Sequence, residues 1–223
     1  MSLKIFSSSI IKADVADKFS APTGFEQKLP WLAPVMHISS NPEDYFMFPV
    51  PIMYSDLPNR NGVAFPLSEL VKWNSDLKCQ GYESWRYAPM FVEHQSDDIT
   101  TAIGVVADVS LRKIEGYGDG KLWKVVALAA IDRTKNPELA RRMEAGEINT
   151  YSMGAMVDGW TCSYCGAGEG KCAHIDPNAP VTFYELNGRM VFKNVFGIGG
   201  YELSVVEDPA YLTAISDHKI SYK

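Results

Sequence analysis

Three of the four cysteines crowd into one glycine-rich stretch, "CSYCGAGEGKCAH", and this cluster constrains the fold more than any other feature of the chain. Cys162 and Cys165 have the C-x2-C spacing, which lets two thiolates reach one ion from a tight turn. Cys172 and His174 follow the glycines and complete a tetrahedral set of four protein ligands. The spacing therefore predicts a metal knuckle rather than a disulfide framework.

The predicted ion is a structural Zn²⁺, because four protein ligands leave no coordination position for an activated water. The knuckle is predicted as an insertion over residues 160–178, a loop with almost no apolar residues of its own. Gly166 directly follows the second cysteine, where such a turn commonly needs an unusual backbone conformation. The alternative is a loop of three reduced cysteines with an incidental histidine. Cys79 lies far from the cluster and is expected to be an ordinary thiol.

Charge and hydropathy narrow the classes of partner. The net charge is -6 and the isoelectric point is near 5.2, which disfavours nucleic acid because phosphate binding needs clustered Lys and Arg. The longest purely apolar run, "VVALAAI", is far shorter than the roughly 20 residues that span a bilayer. The N-terminal residues show no long apolar stretch with a small-residue cleavage site. We expect a cytosolic protein with no membrane partner.

Periodicity predicts a mainly β (α+β) fold with a few helices. Residues 1–60 carry many prolines and scattered aromatics without a helical period, which predicts an extended N-terminal arm that wraps a neighbouring subunit. Residues 61–223 are predicted to form the β domain, with a short helix around 67–77. A short strand ends near His94, and the runs "GVVADVSLRKI" and "KLWKVVALAAID" predict a hairpin.

The second half of the chain carries clear boundary signals. Asn136 as N-cap and Gly146 as the stop predict a helix that leads directly into a strand carrying Ser152. An Asn-Gly pair at 187–188 predicts a hairpin turn. A last strand is expected over 201–206. The knuckle then interrupts a β domain rather than forming a domain of its own.

A serine needs a base before it can act as a nucleophile, and the chain offers few bases. Of the four histidines, His174 belongs to the predicted metal site, His218 lies in the tail and His37 lies in the proline-rich segment. His94 remains, at a strand end before a polar loop, where functional side chains are often presented. Ser152 and His94 are therefore the candidate nucleophile and base.

The order of three motifs in this chain resembles the motif order of the phage prohead (capsid maturation) proteases. Those proteases are related in fold to the herpesvirus assemblins. These motifs are "VEHQ", then "LARRMEAGEINTYSMGA", then "YELSVVEDPAY", and the resemblance covers roughly residues 60–215. Some large-phage relatives also carry a cysteine-rich knuckle behind the serine strand. The resemblance implies an assemblin-like β-barrel flanked by helices. It also implies a serine endopeptidase that cuts scaffold, capsid-protein extensions and itself inside the immature head.

The resemblance implies a role for each matching residue. Ser152 would be the nucleophile, His94 the general base, and an acidic residue in the last strand would orient the imidazole. Glu202 is preferred for that role, and Asp208 in the following proline turn is the alternative. Backbone N–H groups near Met153 and the next glycine are expected to form an oxyanion hole.

The expected partners are phage scaffold and major capsid proteins, or other virion proteins, with a homo-oligomer possible. The expected location is the host cytoplasm, within the prohead or virion. Two alternatives stay open, because a fold does not determine a function. The first is a catalytically silent virion structural protein built on the protease fold. The second is a zinc-stabilised binding adaptor with no protease ancestry.

Overall fold

The computed structural model describes residues 23–116, 121–176, 178–179, 183–211 and 214. The helices are α1 (Thr23–Met36), α2 (Leu67–Leu70) and α3 (Pro137–Glu144), with 3-10 turns at Pro42–Asp44, Gly81–Trp85 and Ile99–Thr101. The longer strands are β1 (Tyr45–Tyr54), β5 (Pro89–Val92), β6 (Gly104–Lys113), β7 (Trp123–Asp132), β8 (Tyr151–Met156), β9 (Gly159–Cys162), β12 (Lys193–Phe196) and β13 (Gly199–Val205). The short strands are β2 (Val63–Ala64), β3 (Trp73–Asn74), β4 (Cys79–Gln80), β10 (Tyr184–Leu186) and β11 (Arg189–Val191).

The described strands build a central sheet of order β1-β7-β6-β5-β13-β8, which curls into a half-barrel. Its pairs are antiparallel except for β5 and β13, which run parallel. A smaller sheet of order β2-β12-β9 lies beside the knuckle sequence. The predicted mainly β fold with few helices is confirmed, as is the hairpin of β6 and β7. The assemblin-like closed barrel stays a prediction.

The central sheet is covered on both faces, and β7 shows this most clearly. Val125, Ala127 and Ala129 of β7 face the larger core, whereas Leu128 and Ala130 face a second core under α1. A strand buried on both sides reads as a continuous apolar run rather than an alternating one. The sequence "VVALAAI" is therefore a central strand.

The first 60 residues differ from the predicted extended arm. Residues 23–36 form α1, and Phe25, Leu29 and Met36 bury one helix face against the sheet. Each proline inside a helix costs about 3 kcal/mol. Burial of large apolar side chains at about 1.5–3 kcal/mol each offsets the cost of the two prolines in α1. The next strand, β1, joins the sheet as its edge, where prolines are tolerated. The prediction of extended structure is thus wrong for residues 23–36, whereas residues 45–54 are extended but belong to the chain's own central sheet. Contact of this segment with a neighbouring subunit stays a prediction, and residues 1–22 lie outside the described part.

The other boundaries mostly agree with the sequence. The predicted helix over 67–77 is wrong in length, because α2 ends at Leu70 and the chain turns into the β3–β4 hairpin. The N-cap Asn136 accepts a hydrogen bond from the Leu139 N–H as predicted. The predicted strand after α3 is β8, and the predicted last strand is β13. The hairpin turn at 187–188 is also confirmed, with positive φ at both positions.

Candidate active site and metal centre

His94 sits in a tight turn directly after β5. The Gln95 N–H donates to the Val92 carbonyl at 3.0 Å, and both central residues of the turn have positive φ, 49° at Glu93 and 55° at His94. These φ signs belong to a type I′ turn, which normally uses Asn and Gly. Left-handed backbone costs about 1–2 kcal/mol for each residue that has a Cβ. The surroundings must therefore hold this turn in place.

Three hydrogen bonds tie the turn to β13 and to the residues that follow it. The Glu93 N–H donates to the Val205 carbonyl at 2.8 Å, and the Glu93 carboxylate accepts from the Glu207 N–H at 2.7 Å. The His94 N–H donates to Ser204 Oγ at 3.3 Å. Strained backbone that is held by surrounding contacts is a common feature of functional sites.

The His94 ring faces Glu202 of β13. His94 Nδ1 lies 2.8 Å from Glu202 Oε1, and Glu202 is 2 % exposed, whereas the His94 side chain is 46 % exposed. The hydrogen bond to Glu202 is the main reason that the pKa of His94 is raised, and it outweighs burial, which acts in the opposite direction. A proton held on Nδ1 by the carboxylate leaves Nε2 as the acceptor of the neutral ring. That tautomer is the one that a general base needs.

Ser152 lies on the same face of the sheet as Glu202. The register of β8 and β13 sets Ser152 opposite Ser204, and Gly154 opposite Glu202. Residues directly opposite in such a pair have Cβ atoms about 4.5–5.5 Å apart. Ser152 is 8 % exposed. Within the described residues, no hydrogen bond joins Ser152 Oγ to the His94 ring.

The alternative third residue lies elsewhere. Asp208 is exposed and forms an ion pair with Arg60, while Glu202 contacts His94. Arg141 and Arg142 form ion pairs with exposed glutamates, Glu138 of α3 and Glu147 of the turn that follows α3. The geometry therefore brings His94 and Glu202 into contact, sets Ser152 on the neighbouring strand opposite Ser204, and leaves Asp208 outside.

The predicted pair of oxyanion donors does not converge. The Val206 N–H donates to the Thr150 carbonyl at 3.1 Å, so Val206 and Thr150 are a hydrogen-bonded pair that continues the antiparallel ladder of β13 and β8. Hydrogen-bonded and non-bonded pairs alternate along such a ladder. The Gly154 N–H therefore points towards β13, and the Met153 N–H points towards the outer edge of β8. The Met153 N–H is the better candidate for an oxyanion contact.

Gly154 has a different importance, because its missing side chain makes room for the Glu202 carboxylate. A Cβ at Gly154 would lie 2.5 Å from Glu202 Oε1, the oxygen that contacts His94. The carbonyl oxygen of Gly154 accepts a hydrogen bond from Trp85 Nε1 at 3.1 Å. This contact lies beside the register shift between Gly200 and Glu202 of β13. Glycine is required here for close approach rather than for an unusual φ.

Gly154→Ala is expected to displace the Glu202 carboxylate and lower the pKa of His94 while the chain still folds. Activity that depends on this pair is expected to fall about 100-fold, since small displacements in an active site have effects of that size. Gly199→Ala on β13 is the matched control, because its Cβ would meet only a leucine methyl at ordinary contact distance, 3.4 Å. An NMR titration of His94 measures the difference. An unchanged titration in Gly154→Ala would contradict the packing argument.

The four predicted metal ligands lie together. The ligand atoms of Cys162, Cys165, Cys172 and His174 are all within 4.8 Å of one another. Cys165 Sγ lies 3.7 Å from Cys172 Sγ, and Cys172 Sγ lies 3.8 Å from His174 Nδ1. Zn–S bonds of about 2.3 Å in a tetrahedron separate two sulfurs by about 3.8 Å. The arrangement is compatible with a structural zinc site.

Backbone N–H groups of the knuckle point at its sulfurs. The Tyr164 N–H donates to Cys162 Sγ at 3.4 Å, and the His174 N–H donates to Cys172 Sγ at 3.3 Å. Gly166 has a φ of 74°, as predicted, and its N–H donates to the Cys162 carbonyl at 2.8 Å. Burial opposes ionisation of the Cys162 thiol, but hydrogen bonds from the backbone N–H groups of Cys165 and Tyr164 and from the Cys172 and Cys165 side chains together outweigh it, so the pKa of Cys162 is lowered. A lowered pKa favours the thiolate that binds metal.

The knuckle is joined to the strand that carries the candidate serine. Only residues 157 and 158 separate β8 from β9, and β9 ends at the first ligand, Cys162. On the other side, the Tyr184 hydroxyl donates to the His174 carbonyl at 2.6 Å. Ser163 Oγ accepts from the Phe192 N–H at 2.9 Å. Cys79, in β4, is not part of the cluster.

Comparison with protein-family models, with curated proteins and with solved structures finds no match to this chain. None of the helices in the described residues has both the length and the apolar character needed to cross a membrane. The likeness to the prohead proteases therefore depends on the sequence motifs quoted above.

Sequence reasoning missed Ser204 and gave Gly154 only a backbone role. Ser204 contacts both His94 and Glu202, and Gly154 makes room for the carboxylate. The available signal was the pattern of β13, where two polar residues at i and i+2 interrupt an apolar strand. Polar groups that are buried on one face need partners, so such a pair indicates a network.

Proposed function

We propose that this protein is a serine endopeptidase in which Ser152 is the nucleophile, His94 the general base and Glu202 the residue that orients the imidazole. The observation that carries the proposal is the 2.8 Å contact between His94 Nδ1 and Glu202 Oε1, on the sheet face that Ser152 shares. A buried carboxylate, a half-exposed imidazole and a neighbouring serine hydroxyl are the components of a catalytic triad.

The proposed reaction uses these groups in order. His94 Nε2 takes the proton of Ser152 Oγ as that oxygen attacks the peptide carbonyl carbon, and the imidazolium then protonates the leaving amine. Water, activated by the same nitrogen, hydrolyses the acyl-enzyme and restores the serine. Glu202 stays ionised and stabilises the imidazolium. The Met153 N–H at the edge of β8 is available to the developing oxyanion.

The knuckle is proposed to hold a structural Zn²⁺ through Cys162, Cys165, Cys172 and His174. Three thiolates and one imidazole suit zinc and complete its coordination, so the ion has no direct role in the reaction. Because β9 follows β8 after two residues, the metal is proposed to brace the strand that presents Ser152.

The proposed substrates follow from the motif resemblance. They are the scaffold and major capsid proteins of a phage head and the chain itself, cut within the prohead in the host cytoplasm. The net charge of -6 supports protein partners over nucleic acid.

A catalytically silent virion structural protein is the second candidate. The observation that favours it is the lack of a hydrogen bond between Ser152 Oγ and the His94 ring within the described residues. Catalytic hydrogen bonds are often long before substrate binds, so the triad proposal is compatible with the same observation.

The deciding experiment combines an active-serine probe with intact mass. The native chain, Ser152→Ala and the control Ser75→Ala, in an exposed loop, are treated with a fluorophosphonate and separately incubated with scaffold and capsid proteins. We expect labelling and proteolytic fragments with the native chain and with Ser75→Ala, and neither with Ser152→Ala. If all three chains remain unlabelled and all partners remain whole under assembly conditions, the structural role replaces the protease.

A further inference from the structure

The Glu202 carboxylate has a second partner besides His94. Its Oε2 accepts a hydrogen bond from Ser204 Oγ, while its Oε1 faces His94 Nδ1. Ser204 is completely buried and Glu202 is 2 % exposed. A carboxylate at such a depth keeps its orientation only if both oxygens are satisfied. The Ser204 hydroxyl therefore occupies one carboxylate oxygen in the orientation that presents the other oxygen to the imidazole.

The same hydroxyl also contacts the backbone of His94. The His94 N–H donates to Ser204 Oγ at 3.3 Å, so the oxygen accepts one hydrogen bond while its proton is donated to Glu202. A serine hydroxyl has one donor and two acceptor positions, and this arrangement uses both kinds. Ser204 is thus attached to both members of the pair and to the left-handed turn that carries the imidazole.

The position of Ser204 in the sheet explains why one residue can do this. β13 lies between β5 and β8, and Ser204 is in register with Phe91 of β5 on one side and Ser152 of β8 on the other. The base comes from the turn after β5, the nucleophile from β8 and the carboxylate from β13 itself. Ser204 is next to all three.

We infer that Ser204 is a positioning residue, whose hydroxyl aligns Glu202 and the His94 backbone so that the imidazole is held in the tautomer required of a base. Its effect on catalysis rests on the proposed function, but its effect on His94 does not. Removal of the hydroxyl leaves Glu202 Oε2 without its donor and the His94 N–H without its acceptor. The carboxylate then turns away from Nδ1.

The test compares Ser204→Ala with Ser204→Thr, which retains a hydroxyl, and with Ser55→Ala as a structural control. Ser55 is also completely buried and also accepts a backbone N–H, from Trp123 at 3.0 Å, but it lies outside the site. The readouts are the NMR titration of His94, the hydrogen-bonded Nδ1 proton signal, and kcat/KM against pH.

Ser204→Ala is expected to lose the Nδ1 proton signal, to lower the pKa of His94, and to reduce kcat about 10- to 100-fold with little change in KM. Ser204→Thr is expected to restore most of each property. Ser55→Ala is expected to lower the melting temperature without changing any His94 signal. If Ser204→Ala does not fold, Ser204→Cys, of similar size but with a weak donor, is expected to show the same loss.

The inference is overturned if Ser204→Ala, or Ser204→Cys in its place, keeps the native His94 titration and Nδ1 signal. Failure of the protease proposal gives a different result. In that case Ser152 is not labelled in the native chain, while the His94 signals still respond to substitution of Ser204.

Discussion

Removal of zinc is expected to lower the melting temperature of the native chain by roughly 10 °C, the shift that a loss of about 3 kcal/mol produces in a domain of this size. Metal binding and folding are coupled in a knuckle, because its ligands have little other reason to stay together. The three cysteines and the histidine that could hold a metal lie within residues 162–174, which have few apolar groups to pack. The measurement is a thermal melt before and after treatment with a strong chelator.

The variant that isolates the metal is Cys165→Ser, because Cys165 is exposed and contributes little packing. It is expected to reproduce the effect of the chelator and to carry less than one zinc per chain by elemental analysis. Cys79→Ser is the matched control and is expected to keep both the zinc and the chelator response. A native chain that purifies without metal and melts at the same temperature in chelator would show that the cluster is a loop of reduced cysteines.

Glu202→Gln is expected to reduce kcat/KM by roughly 10³–10⁴ while the fold is retained, since loss of the orienting carboxylate has effects of this order in serine proteases. Glutamine has nearly the same shape but cannot stabilise the imidazolium, and its amide can present a donor to Nδ1. Asp208→Asn is the matched control, because Asp208 pairs with Arg60 at the surface, and it is expected to change kcat/KM less than about 2-fold. The measurement is peptide hydrolysis by each variant.

Glu202→Gln is also expected to change the pH dependence of the activity. Because the pKa of His94 is raised, the neutral base is lost at a higher pH than for an ordinary histidine, and activity falls as pH drops through that raised value. Glu202→Gln should move this acid limb to lower pH. The contribution of the His94–Glu202 pair to the stability of the fold depends on pH in the opposite direction. The charged pair stabilises the fold fully below the ordinary histidine pKa of about 6.5, and this contribution is lost as pH rises through the raised folded value. An acid limb that stays in place in Glu202→Gln would exclude Glu202 as the orienting residue.

Local features of the chain were predictable because their causes lie within a few residues. The four candidate metal ligands occupy positions 162 to 174, so spacing alone indicated one cluster. The Asn136 cap, the hairpin turn at 187–188 and the left-handed Gly166 follow from the backbone preferences of those residue types. The helix over residues 23–36 was missed because two prolines suggested a break, and only its packing against the sheet offsets their cost.

The pairing of His94 with Glu202 shows where local reasoning stops. These residues are 108 positions apart, and the order of motifs suggested both of them without locating either in space. The motif resemblance already preferred Glu202 over Asp208, and the structure adds that the two carboxylates face different partners, His94 and Arg60. Gly154 was noticed as a glycine, but its role depends on the side chain that packs against it from β13.

By itself, the sequence predicted the four candidate knuckle ligands, the strand and helix signals of residues 89–205 and the candidates Ser152, His94 and Glu202. Only the tertiary structure decided that β13 lies between β5 and β8, which brings Ser204, Glu202 and His94 into one hydrogen-bonded group. The physical reason is register. A shift of one residue in either pairing would turn every side chain of β13 to the opposite face, and the burial of Leu203 and Val205 in the core prevents it.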